Sequence, residues 1–168
     1  MHQKKFNRRR ILQVGAIGIT SGITAGAPAD TSSCAAVTRE HFERYITLFN
    51  NNDPRFTEFY HEDVILELGA TAIKTRQGIA DFYKEVKTYI RESLEVTQFI
   101  ADANGIAVEL PSEFTCIRDW DDSFWGRPIK KGEVLRIISF VLYQVRDGKF
   151  AHIKSARYKV VNDWQIEE

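Results

Sequence analysis

The stretch VLRIISFVLYQVRDGKFAHI, residues 134–153, decides the fold. Val134 to Val145 is a long run of β-branched, aromatic and leucine residues, and it breaks at Asp147-Gly148 before a second such run begins at Phe150. An Asp-Gly pair between two apolar runs is a strong hairpin signal, because the tight turn needs positive φ. Working backwards, Ile106 to Ile117 is another strand-like run, preceded by an Asn104-Gly105 turn and by Leu94 to Ile100. The C-terminal half therefore predicts four strands, 94–100, 106–117, 134–145 and 150–161, with a long loop before Val134.

Upstream the period changes. Thr38 caps a helix whose Phe42, Tyr45, Ile46 and Phe49 recur at helical spacing, and Asn50-Asn51-Asn52 ends it. Asp53-Pro54 starts a short helix carrying Phe56, Phe59 and Tyr60, since aspartate accepts the free N–H groups and proline suits the first helical position. Val64 to Leu68 reads as a short strand. Gly78 precedes a third helix with Ile79, Phe82, Tyr83, Val86 and Ile90 on one stripe. Helices followed by an antiparallel meander predict an α+β domain, with the helices on one face of a curved sheet.

The first 29 residues read as an address. MHQKKFNRRR carries five basic residues and no acid, and Ile11 to Ala29 carries no charge. That is the layout of a secretory signal, with A-x-A exits ending at Ala27 and Ala29. Asn7 to Gln13 also resembles the twin-arginine export motif, which implies a periplasmic or secreted protein, with no stable membrane span once the signal is cleaved. Residues 30–37 are then a flexible leader, 38–162 the domain and 163–168 a C-terminal tail. Removing the five basic residues leaves 18 against 23 acidic ones, a net of about −5, which excludes a nucleic-acid surface. Cys34 and Cys116 read as unpaired thiols. No Cys/His spacing suggests a metal, and no glycine loop suggests a nucleotide or other cofactor.

The element order, with the phrases FYHEDVILEL (59–68), RQGIADFYKEV (76–86) and VRDGKFAHI (145–153), resembles the SnoaL-like branch of the nuclear-transport-factor-2-like superfamily. The resemblance implies a cone, a bent sheet wrapped around the helices with an apolar cavity open at one end. Relatives include ketosteroid isomerases, polyketide cyclases, epoxide hydrolases and dehydratases, besides members that only bind or dimerise. By the same resemblance Tyr45 falls at the isomerases' helix-1 tyrosine. Their base position falls on Leu68, their second acid on Val141, and the epoxide-hydrolase set near Leu110, Ser112 and Ser155. None of these known sets is complete.

Strand alternation supplies a cavity independently. Val108, Leu110, Ser112, Phe114 and Cys116 share the inward face of their strand, as do Ile137, Ser139, Val141 and Tyr143 on the next and Ile153, Ser155 and Arg157 on the last. Arg157 holds a ligand's anionic group, pairs with Asp119, Asp121 or Asp122 of the long loop, or snorkels out at the strand's end. Tyr45 is the candidate proton donor and Asp119 the candidate base. Arg157, Ser155, Ser112 and Tyr143 are candidate ligand contacts, joined by Trp125 from a loop placed to cover the mouth. Glu109, Glu113 and His152 point outward, with Arg136 and Lys154 as ion-pair partners for the two acids. Ile138, Phe140 and Leu142 point outward too, which predicts a homodimer through the outer sheet face. The functional expectation is an exported protein that accommodates a small anionic or enolisable molecule, with isomerase-, cyclase- or dehydratase-type acid/base chemistry, or a non-catalytic binding or dimerisation module.

Overall fold

The computed structural model describes residues 37–167. The expectations for the signal peptide, its cleavage sites, Cys34 and the leader up to residue 36 lie outside the described residues. Val37, expected to end the leader, is already buried against the core. Helix α1 is Arg39–Asn50, capped by Thr38, whose hydroxyl accepts from the His41 amide at 3.2 Å. It buries Phe42, Tyr45, Ile46 and Phe49, the stripe its periodicity predicts. A 3₁₀ helix, Pro54–Phe59, follows behind an Asp53 cap. Strands β1 (Tyr60–Leu68) and β2 (Thr71–Lys74) form a hairpin around Gly69 at φ 61°. Helix α2 is Arg76–Tyr89.

The rest is sheet: β3 (Ile90–Leu94), β4 (Gln98–Ala101), β5 (Gly105–Cys116), β6 (Glu133–Arg146) and β7 (Lys149–Ile166). The strand order is β2-β1-β7-β6-β5-β3, with β4 also paired to β5. All pairings are antiparallel except β1 with β7, which is parallel. The α+β class and the curved sheet stand as expected, and Asp147 and Gly148 occupy positive φ at the β6–β7 turn.

Several boundaries differ from expectation, among them the start of β1, which begins at Tyr60 instead of Val64 and takes Tyr60 from the short helix. The stripe ending in Ile90 is cut one residue short, because Ile90 opens β3. The single strand expected at 94–100 is two pieces, β3 and β4, bridged by Glu95 and Thr97 amides that still donate to Pro111 and Glu109 carbonyls of β5. The tail expected from residue 163 is strand as far as Ile166, because Trp164 packs edge-on against Trp125 at 5.3 Å and anchors it.

Two buried clusters fill the interior. One surrounds the fully buried Phe42 and Phe150, and the other gathers Val86, Ile90, Phe114, Trp120, Ile129 and Leu135. Asn50 links helix and sheet: its amide donates to the Leu94 carbonyl and accepts from the Leu94 amide, each at 2.9 Å. The side chain thus stands in for a neighbouring strand along the free edge of β3 and fixes the end of that strand.

Candidate functional site

A cavity of about 380 Å³ lies between the helices and the inner sheet face. Its floor is made by tyrosines from four elements. Tyr45 comes from α1, Tyr60 from the start of β1, Tyr83 from α2 and Tyr143 from β6. The Tyr45 and Tyr60 hydroxyls are hydrogen-bonded at 2.9 Å. Burial pushes all four phenols well above their usual range, so they remain protonated at any physiological pH and act only as neutral donors and acceptors. Phe49, Phe82, Phe114, Phe124 and Trp125 supply aromatic walls. Exposed lining residues, Gly69, Phe124 and Arg157, mark the opening.

Among these walls stands one carboxylic acid, Glu92. It lies opposite Phe114 across the β3–β5 pairing, and directly opposed residues share a face, so the register points Glu92 inward. No hydrogen bond or ion pair engages its carboxyl among the described residues. Glu92 is half-buried, and its partial loss of water contact raises its pKa to about 7, against an opposing pull from the Lys87 ammonium. Lys87 sits over the Phe49 ring at 3.9 Å and donates to the Phe49 carbonyl. A carboxyl poised there can take and return protons near neutral pH.

The sequence misses Glu92 because Ile90 satisfies two patterns at once. It continues the helical stripe of Ile79, Phe82, Tyr83 and Val86, yet Ile90, Glu92 and Leu94 equally alternate on one strand face. Starting the strand at Ile90 would have placed an acid between two inward apolar residues.

The other candidates divide. Tyr45, Tyr143, Ser112, Ser155, Trp125 and Arg157 all line the cavity. The Ser112 hydroxyl is spent on the Leu110 carbonyl at 3.2 Å. Trp125 packs against Phe114 and Phe124, with ring centroids at 5.6 and 4.6 Å. Asp119 is a correction: it lies outside the cavity lining, accepts from the Lys131 amide at 2.8 Å, and pairs with Lys130 at 3.3 Å. These contacts hold its carboxyl below the usual range, the wrong direction for a base at neutral pH. Lys130 also takes Asp121 at 3.0 Å, so two of the three acids expected to neutralise Arg157, Asp119 and Asp121, are engaged elsewhere. Glu113 pairs with Arg136 at 2.8 Å, as the outward parity requires. Glu109 instead accepts from the Thr97 hydroxyl at 2.9 Å. His152 meets Glu67 at 2.8 Å on the outer face, which leaves Leu68, not Glu67, in the cavity wall.

The position of Glu92 has a consequence for stability. Its carboxyl ionises at about 7 in the folded chain against 4.5 ordinarily, so its contribution is complete below pH 4.5 and is lost as pH rises through about 7. Glu92→Gln is therefore expected to leave unfolding free energy nearly unchanged at about pH 4.5. At about pH 8 it should raise stability by roughly 1–3 kcal/mol. Urea unfolding at both values checks this, and an equal effect at both would mean a well-solvated carboxylate.

The described residues thus form a cone-shaped α+β domain with an aromatic cavity and one acid in its wall. Residues 42–153 match the SnoaL-like domain, and the chain belongs to that family. No curated protein sequence matches it significantly. A candidate polyketide cyclase from Pseudomonas putida is 23% identical and superposes with a TM-score of 0.60, covering 73% of this chain and 90% of its own. An LEH-like epoxide hydrolase of M. tuberculosis, 13% identical, gives 0.56 over 69% and 78%. A candidate ketosteroid isomerase from Kribbella flavida, 21% identical, gives 0.52 over 77% and 78%. These likenesses establish the shared fold; none carries a reaction to this chain.

Proposed function

We propose that this protein binds a small enolisable or anionic organic molecule and moves a proton on it, in isomerase-, cyclase- or dehydratase-type chemistry. The observation that carries this reading is Glu92, an unpaired carboxyl at about 7 inside an aromatic cavity. Glu92 takes a proton from the carbon beside a carbonyl and returns it at a second position. The protonated tyrosines supply the hydrogen bonds that the developing enolate oxygen needs, in a site with little water to compete. Tyr45 acts within this cluster through Tyr60, and Tyr83 and Tyr143 line the same floor. The test is deuterium incorporation into a ring ketone such as 2-tetralone, compared between wild type and Glu92→Gln. An unchanged rate would leave a binding module in place of an enzyme.

Two further parts of the reading concern the whole chain. The protein is exported through its twin-arginine-like leader, and it works as a homodimer through the outer sheet face. Supporting the second, Phe140 and Leu142 are 45% and 54% exposed, and the Phe140 ring packs tilted against the exposed Tyr158 at 4.9 Å on that face. Native mass spectrometry of protein exported from a bacterial host should give a dimer of chains beginning after Ala27 or Ala29. Full-length monomers retained in the cytoplasm would reject both parts.

A further inference from the structure

We propose that the cavity's ligand is a planar two-ring carboxylate, its acid group held at the rim by Arg157 with the Ser139 and Ser155 hydroxyls, and its far ring reaching Glu92. The proposal rests on the acid/base reading only for the role of Glu92 at the far end.

The anion subsite follows from register. Arg157 lies directly opposite Ser139 across the β6–β7 pairing, and Ser155 is two residues away on the same face of β7. All three line the cavity, and no hydrogen bond or ion pair engages their side chains among the described residues. Strand β1 ends at Leu68, opposite Ser155, so Arg157 lies beyond the last β1 partner and reaches solvent at the opening. There a guanidinium keeps its water when the cavity is empty and meets an entering anion first. A planar fork of donors suits a carboxylate, and two flanking hydroxyls add donors to its remaining lone pairs.

Length follows from strand order. Between β7 and β3 lie β6 and β5, so Arg157 and Glu92 are three strand steps apart, and they are also offset along the strands, because Arg157 is in line with Ser139 and Leu110 while Glu92 faces Phe114. Steps of about 4.8 Å and residues of about 3.4 Å place their backbones roughly 20 Å apart on a flat sheet and closer as a chord across a curled one. Both side chains reach into that span, and a two-ring acid fits between their ends. Volume agrees: about 380 Å³ is on the order of a dozen water volumes, which leaves room for two fused rings and their acid group. Planarity follows from the walls, since Phe82, Phe114, Phe124 and Trp125 offer ring faces and edges that favour flat, polarisable partners. Charge agrees as well: the far acid is neutral below about pH 7, so it does not repel an anion entering past Arg157.

Calorimetric titration at about pH 6 with 2-naphthoate, its neutral isostere 2-naphthamide, and benzoate tests the proposal. Wild type should bind naphthoate at least ~10-fold more tightly than naphthamide, and more tightly than benzoate. Arg157→Gln should erase the naphthoate preference, a loss of roughly 10- to 100-fold, with naphthamide affinity unchanged. Ser139→Ala should weaken naphthoate severalfold in the same direction. Glu92→Gln should retain the preference, so a failed proton-transfer role appears as unchanged deuterium exchange with the anion preference intact. Equal affinity of wild type for acid and amide, or a preference that survives Arg157→Gln in a normally folded protein, would overturn the anion subsite. Benzoate binding as tightly as naphthoate would overturn the two-ring length.

Discussion

Glu92→Gln should slow α-proton exchange on a bicyclic ketone by about 10²- to 10⁴-fold, the range that a positioned general base contributes. The substitution keeps shape and volume and removes only the ability to hold a proton reversibly. Cavity, tyrosine cluster and ligand affinity should therefore survive, and the loss should fall on kcat more than on KM. In wild type the rate should rise with pH through about 7 as the carboxyl ionises, since only the carboxylate accepts a proton. Replacing Lys87 with methionine would remove the one charge opposing the effect of burial on Glu92, so the rise should move to higher pH. A rate independent of pH between about 5 and 9, or one equal in Glu92→Gln, would exclude this acid from the chemistry. Together with the expected stabilisation at alkaline pH, the variant separates function from folding: losing activity while gaining stability is the behaviour of a group held in an unfavourable environment for its chemistry.

Phe150→Ala should cost about 3–5 kcal/mol of unfolding free energy, the usual range for emptying a phenylalanine site in a core that cannot collapse around it. Phe150 has no exposed surface and is the second residue of β7. Its ring lies within 5.1 Å of Tyr45, 4.8 Å of Tyr143, 6.3 Å of Tyr60, 6.0 Å of Phe42 and 6.2 Å of Phe59. It thus spaces three of the four floor tyrosines. The residual activity of a variant that still folds should fall along with its stability, because the Tyr45–Tyr60 hydrogen bond loses the ring that holds both phenols in place. Urea denaturation gives the first quantity and exchange kinetics at low temperature the second. A cost below about 1 kcal/mol would mean that the aromatic cluster repacks freely.

The amino-acid sequence by itself determined the helices with strong stripes and the strands with strong alternation. Phe42, Tyr45, Ile46 and Phe49 can share a face only in a helix, and the β5 series from Val108 to Cys116 can share one only in a strand. From that alternation the cavity side of β5, β6 and β7 was legible, and Ser112, Ser139, Tyr143, Ser155 and Arg157 line the cavity as parity placed them. The same arithmetic put Glu113 outside, beside Arg136. Periodicity works there because a buried face leaves a repeating chemical trace.

Tertiary structure alone decided the rest. Ile90 is apolar under both periods, so only pairing with Cys116 of β5 could end α2 at Tyr89 and turn Glu92 inward. The charged residues of the long loop leave no periodic trace, and Asp119 looked available until the chain brought Lys130 and the Lys131 amide to it. β7 outran its alternating pattern because Trp164 found Trp125 across the loop. The parallel contact of β1 with β7 joins segments about 85 residues apart, a pairing that no local pattern encodes. Local sequence sets which side of an element is apolar. Which polar groups then meet, and which acid loses its water, depends on contacts between segments far apart in the chain.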